Sequence, residues 1–239
     1  MTRRARQVLQ QAKGTAGPAA EGRVPPMKLY GFPLSAYTRK AAVALAEKGL
    51  EFDWEPSNPG QPTEEFLKVS PFGKIPGFAD GEFSVSDSSA IVAYLDAKYP
   101  APALIPAQAE ARGRAIWLDE AVDTVLIPAG APIVHQRFLY PVVFGKPGDE
   151  SLAVAAEEAI QKPLAYFEGI LGSDGWLSGE FSIGDIALAC SLKTIGYGGW
   201  TVDAASHPKL AAWQERVQAR AAWQQVAERE ASIFAALKG

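Results

Sequence analysis

SPFGKIPGFADGEFSVSDSSAIVAYLDAKY, residues 70–99, decides the fold. Gly77–Asp80 and Phe83–Val85 are short apolar runs joined at Asp80-Gly81, a dipeptide suited to a tight hairpin. Ser86–Tyr99 follows with helical spacing, placing Ile91 and Leu95 on one face. Upstream, MKLYGF (27–32) reads as a strand ended by Pro33. AYTRKAAVALAEKG (36–49) reads as a helix, with Ser35 as N-cap and Gly49 as terminator. LEFDWEP (50–56) alternates with period two and predicts a second strand. A Pro/Gly-rich loop leads from there into a short helix over TEEFLKV (63–69). The order is βαβ-α-ββα, an α/β arrangement with a small mixed sheet.

PAPALIPA (100–107) carries three prolines and marks a stiff linker, drawn at 100–108. It divides a first domain, 27–99, from an all-helical second domain, 109–239. Helices are expected there over 109–128, 150–172, 182–196 and 208–236, and Pro163 predicts a kink or a later start in the second. Residues 1–26 are basic and rich in Ala, Gly and Pro. They carry a net +4 where the remainder carries −8. They lack the apolar core of a secretory signal and read as a disordered extension, an Arg-rich transit peptide being the other reading.

Composition narrows the function classes. The chain has 239 residues, 48% of them hydrophobic, enough to bury a core. No apolar run reaches the roughly 20 residues of a membrane-spanning helix. A net charge of −4 argues against nucleic acid as partner. One cysteine and two histidines leave no ligand set for a metal, and the cysteine count suits a reducing, cytoplasmic compartment.

Three clusters can carry chemistry. In FPLSAYTRK (32–40), Ser35 puts a hydroxyl at a strand-to-helix junction, beside unpaired N–H groups and the positive end of a helix dipole. Such a place holds an anion, a thiolate included, and equally suits a plain N-cap. In SPFGKIPGF (70–78), Pro76 stands just before a strand after a β-branched residue, where a cis peptide fits. Ile75 would then offer its backbone to an extended ligand, with Lys74 for a carboxylate. In SDSSAI (86–91), Asp87 and Ser88 open a helix, where a carboxylate and an ammonium of one α-amino acid could both be met, or where the pair simply caps.

Together, PLSAYTRK, SPFGKIPGF and DSSAI in this order of elements resemble the glutathione transferase superfamily over nearly all of residues 27–236, closest to its serine-type, phi-like group. The resemblance implies a thioredoxin-like glutathione domain followed by a helical one. It implies that Ser35 stabilises the glutathione thiolate and that Ile75, before cis-Pro76, pairs with the cysteinyl unit. Asp87 and Ser88 would hold the γ-glutamyl end, where the family more often has Glu, and Lys74 would approach the glycyl carboxylate. The loop 57–62 lacks the basic residue many phi-like members use there, and Ser70 stands where Asn is frequent. Tyr30 and Tyr37 remain competing hydroxyls. WLSGEFSIGDIALA (176–189) resembles the family's helix-six signature, and Ser182 and Asp185 read as a structural capping box.

The implied activity is attack of the glutathione thiolate on a small hydrophobic electrophile, or reduction of a peroxide, in a homodimer acting in detoxification. No metal is implied; glutathione is the co-substrate. Trp117, Leu126, Ile127 and Phe138 are candidates for the electrophile pocket wall, with core packing the first reading of each. A thiol–disulfide reductase would need cysteine at position 35, and Cys190 lies mid-helix among apolar residues. A maleylacetoacetate-isomerase-like member would carry a more Ser/Cys-rich motif at that helix start. A non-enzymatic binding or scaffold module is the alternative from another class; retention on immobilised glutathione together with turnover separates it.

Overall fold

The computed structural model describes residues 1–11, 27–57, 62–173 and 175–238. They form two compact units: a sheet unit of Arg3–Pro102 with Gln225–Gly239, and a helical unit of Met1–Thr2 with Ala103–Gln224.

In the sheet unit, β1 (Met27–Gly31), β2 (Phe52–Pro56), β3 (Gly77–Asp80) and β4 (Phe83–Ser86) make one sheet in the order β2-β1-β3-β4. β1 runs parallel to β2 and antiparallel to β3, and β3 pairs antiparallel with β4. α2 (Ala36–Glu47) is the crossover between the parallel strands, α3 (Glu64–Val69) precedes the hairpin, and α4 (Ser88–Lys98) follows it. Successive side chains on a strand face opposite ways. Leu29 and Tyr30 of β1 are both buried, so both faces of that strand are covered. Tyr30 meets Phe66 of α3 at a ring distance of 6.1 Å. Trp54, Phe78, Ile91 and Leu95 complete the core.

Gly31 ends β1 where only glycine fits, since a Cβ there would lie 2.3 Å from Thr38 Oγ1 on the first turn of α2. The exit of the unit is fastened by Lys48. Its buried Nζ donates to Asp96 Oδ1 at 2.9 Å, Tyr99 O at 2.7 Å and Pro102 O at 2.8 Å. One cation thus satisfies a carbonyl at the end of α4 and holds the start of the proline-rich segment.

The chain's two ends also belong to this unit. α1 (Arg3–Gln11) is a helix, which corrects the expectation of disorder over 1–26 for its first part. Ala5 and Val8, three apart on one helical face, are buried. Arg4 Nε donates to Ala236 O at 2.8 Å, capping the end of the last helix, α11 (Ala221–Lys238). The average composition of the segment concealed this short stripe. The rest of that expectation, residues 12–26, lies outside the described residues, as do positions 58–61 of the loop that lacks a basic residue.

The helical unit contains α5 (Ala109–Ala121), α6 (Ile127–Val134), α7 (Glu150–Ala159), α8 (Gln161–Ile170), α9 (Ile183–Gly196) and α10 (Pro208–Gln218). The expected helix over 109–128 continues to Phe144, because π-helical turns at Val122–Leu126 and His135–Phe144 bridge α5, α6 and the segment beyond. The helical path carries Pro132 and Pro141 in its interior, where proline leaves a backbone carbonyl without its usual N–H partner. Pro163 sits in the first turn of α8, where its missing N–H costs nothing. α9 is nearly all buried, Cys190 included, and Gly130 and Gly184 allow helices to approach it closely.

At the start of α9, Asp185 Oδ2 accepts from Ser182 N at 3.0 Å and Ser182 Oγ at 3.3 Å. Its Oδ1 accepts from Leu177 N at 3.0 Å and Trp213 Nε1 at 2.8 Å. Leu126 and Phe138, considered above for a pocket wall, are core, whereas Trp117 is 46% exposed and packs edge-on against Tyr166. Among the described residues, no helix is long and apolar enough to cross a membrane, and no cluster of His, Cys, Asp or Glu could hold a metal ion.

Candidate active site

Sheet register assembles the site. Tyr30 of β1 pairs with Gly77 of β3, and Gly77 pairs with Ser86 of β4. Three chain segments therefore leave the sheet at one end: the turn from β1 into α2 with Ser35, the approach to β3 through Lys74, Ile75 and Pro76, and the step from β4 into α4 with Asp87 and Ser88. Two of them are tied directly, Asp87 N donating to Pro76 O at 3.2 Å.

Ser35 is the N-cap of α2, with extended backbone (φ −73°, ψ 133°) and half-buried. An N-cap serine usually accepts a hydrogen bond from the helix it starts. Here the hydroxyl makes no such bond, and it has no partner among the described residues. The competing hydroxyl of Tyr30 is occupied: it is buried and donates to Glu65 Oε1 at 2.9 Å. Burial, then the hydrogen bond to Glu65 and the charges of Glu65 and Glu55, push that phenol well above its ordinary pKa. Tyr37 is half-buried in the first turn of α2 and has a partner of its own.

The Ile75–Pro76 peptide is cis. Neither the N–H nor the C=O of Ile75 has a partner among the described residues. The loop before it is braced from inside, where buried Ser70 donates its hydroxyl to Lys74 O at 2.6 Å. That contact gives the serine a structural use. Lys74 itself is exposed.

Asp87 has φ 95° and ψ 130°, the left-handed side of backbone space that a non-glycine residue occupies at a cost of about 1–3 kcal/mol. Its Oδ1 accepts from Ser89 N at 2.9 Å and Ala90 N at 3.0 Å, so the carboxylate caps α4. Asp87 is exposed, and Ser88 beside it is buried. The positive φ had no signal in the sequence, since Asp is ordinary at an N-cap. The result is an uncommitted hydroxyl at one helix start, an unpaired strand-like peptide group, and a carboxylate at a second helix start, all at one end of one sheet. An extended peptide bearing a thiol and charged ends is complementary to that set.

Comparison with known proteins shows the family. The family model described as "Glutathione S-transferase, N-terminal domain" matches residues 29–103, and "Glutathione S-transferase, C-terminal domain" matches 128–221. The chain is 34% identical over 207 residues to glutathione S-transferase 3 of Zea mays, covering 83% of this chain and 92% of that protein. It is 31% identical over 204 residues to glutathione S-transferase F10 of Arabidopsis thaliana, covering 81% and 93%. Among solved structures, glutathione S-transferase-I bound with lactoylglutathione superposes with a TM-score of 0.77 at 26% identity, covering 85% of this chain and 99% of that one.

Proposed function

Because the chain belongs to the glutathione S-transferase family, with relatives among the plant phi-class enzymes, and is a glutathione transferase, we propose that Ser35 stabilises the thiolate of bound glutathione at the first turn of α2. Ile75, next to Pro76, pairs through its backbone with the cysteinyl unit. Asp87 and Ser88 hold the γ-glutamyl end, and Lys74 meets the glycyl carboxylate. The observation that carries this reading is the Ser35 hydroxyl, placed at a helix N-terminus and kept out of capping.

A cysteine thiol has a reference pKa near 8.5, and lowering it by about two units requires roughly 2.7 kcal/mol of preferential thiolate stabilisation. A hydroxyl hydrogen bond to the anion and the partial positive charge of a helix start together lie in that range. The thiolate sulfur then forms a bond to an electrophilic carbon, and the leaving group departs with its electron pair. With an organic peroxide it attacks oxygen instead, releasing the alcohol, and a second glutathione resolves the oxidised sulfur.

A homodimer working on small hydrophobic electrophiles in the cytoplasm, in detoxification, belongs to this reading. Phe72, an aromatic 87% exposed in the loop before Lys74, is surface that a second copy would cover.

Ser35→Ala should leave glutathione binding within about threefold while cutting turnover of an activated aryl halide at neutral pH by roughly ten- to a thousandfold, about 1.4–4 kcal/mol. Tyr30→Phe and Tyr37→Phe are the controls. Full activity in Ser35→Ala with loss in one tyrosine variant would transfer the role to that tyrosine. A parent that retains glutathione but turns over nothing across aryl halides, hydroperoxides, isothiocyanates and epoxides would leave only a binding module.

A further inference from the structure

The turn that carries Ser35 is closed by one local backbone bond, Ser35 N donating to Phe32 O at 3.0 Å, and lacks the usual helix caps. The Ser35 hydroxyl makes no cap bond, and the first turn of α2 contains no acidic residue to meet the helix dipole. What fixes this turn starts one residue further round. Arg39 N donates to Ser35 O at 2.9 Å, the first rung of the helix, so the backbones of the two residues move together. The Arg39 side chain is buried, and its Nε lies 2.7 Å from both carboxylate oxygens of Glu230, also buried.

Glu230 comes from the second half of α11, within the same unit as α2. That stretch is itself anchored. Ile233 and Leu237 are buried, Arg229 lies over the Trp54 ring at 5.0 Å, and Arg4 caps the helix end at Ala236.

Stability alone does not account for the Arg39–Glu230 pair. Burying two ions is costly, and an apolar pair of equal volume commonly serves the fold as well or better. What an ion pair adds is direction, because a planar guanidinium facing a carboxylate fixes the rotation of the helix that carries it. We propose that Arg39 and Glu230 are positioning residues, through which the chain's last helix holds the first turn of α2 and aims the Ser35 hydroxyl at the thiolate. The inference rests on the Ser35 reading and deepens it: a hydroxyl left out of capping needs its helix start held from elsewhere.

The sign of one measurement separates this role from its rivals. Loss of the Glu230 charge removes a negative charge from beside Arg39, which by simple electrostatics would favour a nearby thiolate and lower its pKa. Loss of positioning raises that pKa. A merely structural pair moves the melting temperature alone.

The experiment uses the full chain with glutathione, following bound-thiolate absorbance in the ultraviolet against pH. Glu230→Gln is expected to raise the thiol pKa by about one unit and to lower turnover about tenfold at neutral pH, with glutathione affinity changed by less than about threefold. Glu230→Asp keeps the charge and shortens the reach. It is the variant to read if Glu230→Gln does not fold, with a rise of about half a unit expected. An unchanged or lowered pKa in the variant that folds overturns the proposal.

Ser35→Ala is run in parallel, alone and with the Glu230 variant. Because Glu230 acts through Ser35, it should add no further shift once the hydroxyl is gone; an equal shift in that background overturns the proposal and leaves Ser35 standing. A Ser35→Ala variant with an unshifted pKa removes the Ser35 reading itself, and this inference with it.

Discussion

Two serines start helices in this protein, and they are used in opposite ways. Ser182, at α9 of the helical unit, is fully buried. Its N–H and hydroxyl both reach Asp185, whose other oxygen ties Leu177 and Trp213 to the same point. Ser35, at α2 of the sheet unit, is half-buried, and its hydroxyl has no partner among the described residues. The residue type and the position on the helix are the same. What differs is whether the neighbourhood consumes the hydroxyl. A satisfied cap contributes about 0.5–2 kcal/mol to a fold, whereas an unsatisfied one forgoes that and remains available to a ligand.

The comparison can be broken most violently at Asp185. Asp185→Ala leaves the buried Trp213 Nε1–H and two backbone N–H groups without their acceptor, so the unfolding free energy should fall by about 3–5 kcal/mol. Denaturant melts check this, and a loss below about 1 kcal/mol would show that the network is ornamental. The same residue has a pH signature. Burial raises the Asp185 carboxyl above the usual range, against the opposing effect of the Leu177, Trp213 and Ser182 donors. A raised folded-state pKa means that the native protein holds this proton more tightly than the unfolded chain. Its contribution to stability is therefore fully present below the unfolded-state value and lost as pH rises through the folded one. The stability gap between the parent and Asp185→Asn should narrow as pH rises across that acid window.

Asp87 stands between the two serines, since its carboxylate caps α4 and, in the proposed reading, also meets the γ-glutamyl ammonium. Asp87→Asn keeps a capping oxygen and removes the charge. It should weaken glutathione binding by about ten- to a hundredfold, the weight of a charge-assisted hydrogen bond, with little change in melting temperature. Asp87→Ala should show the same binding loss plus a lower melting temperature. Unchanged affinity in both would move the γ-glutamyl end elsewhere.

A smaller effect tests the ends of the chain. With Ala5 and Val8 buried and Arg4 capping α11, a protein beginning at Met27 should lose about 1–2 kcal/mol, visible as a few degrees of melting temperature. No loss would mean that α1 contributes nothing to the native state.

How much of this was legible in the sequence follows from which signals are local. The strands, the 80–81 hairpin turn, α2 and α4 are announced by periodicity and turn residues within a few positions. Pro76 and the Ser182–Asp185 spacing are similarly plain. Three features were not legible. The helix at 3–11 needs Ala236 and the surface beneath Val8, so its composition alone suggested no fold. The helical path through Pro132 and Pro141 needs π-helical turns that no residue pattern marks. The Arg39–Glu230 pair joins residues 191 positions apart, a separation that no local pattern marks. Ser35 itself was legible as an N-cap; that its hydroxyl is uncommitted is a fact of geometry.

The most direct measurement therefore pairs the two serines, recording for Ser35→Ala and Ser182→Ala both the unfolding free energy and the pKa of the bound glutathione thiol. The account predicts a crossed result. Ser35→Ala raises the thiol pKa by about one unit or more and changes stability by less than about 0.5 kcal/mol, while Ser182→Ala leaves the pKa in place and costs about 1 kcal/mol. A Ser35→Ala protein that loses stability like its counterpart, with the thiol pKa unmoved, would contradict it, for Ser35 would then be one more structural cap.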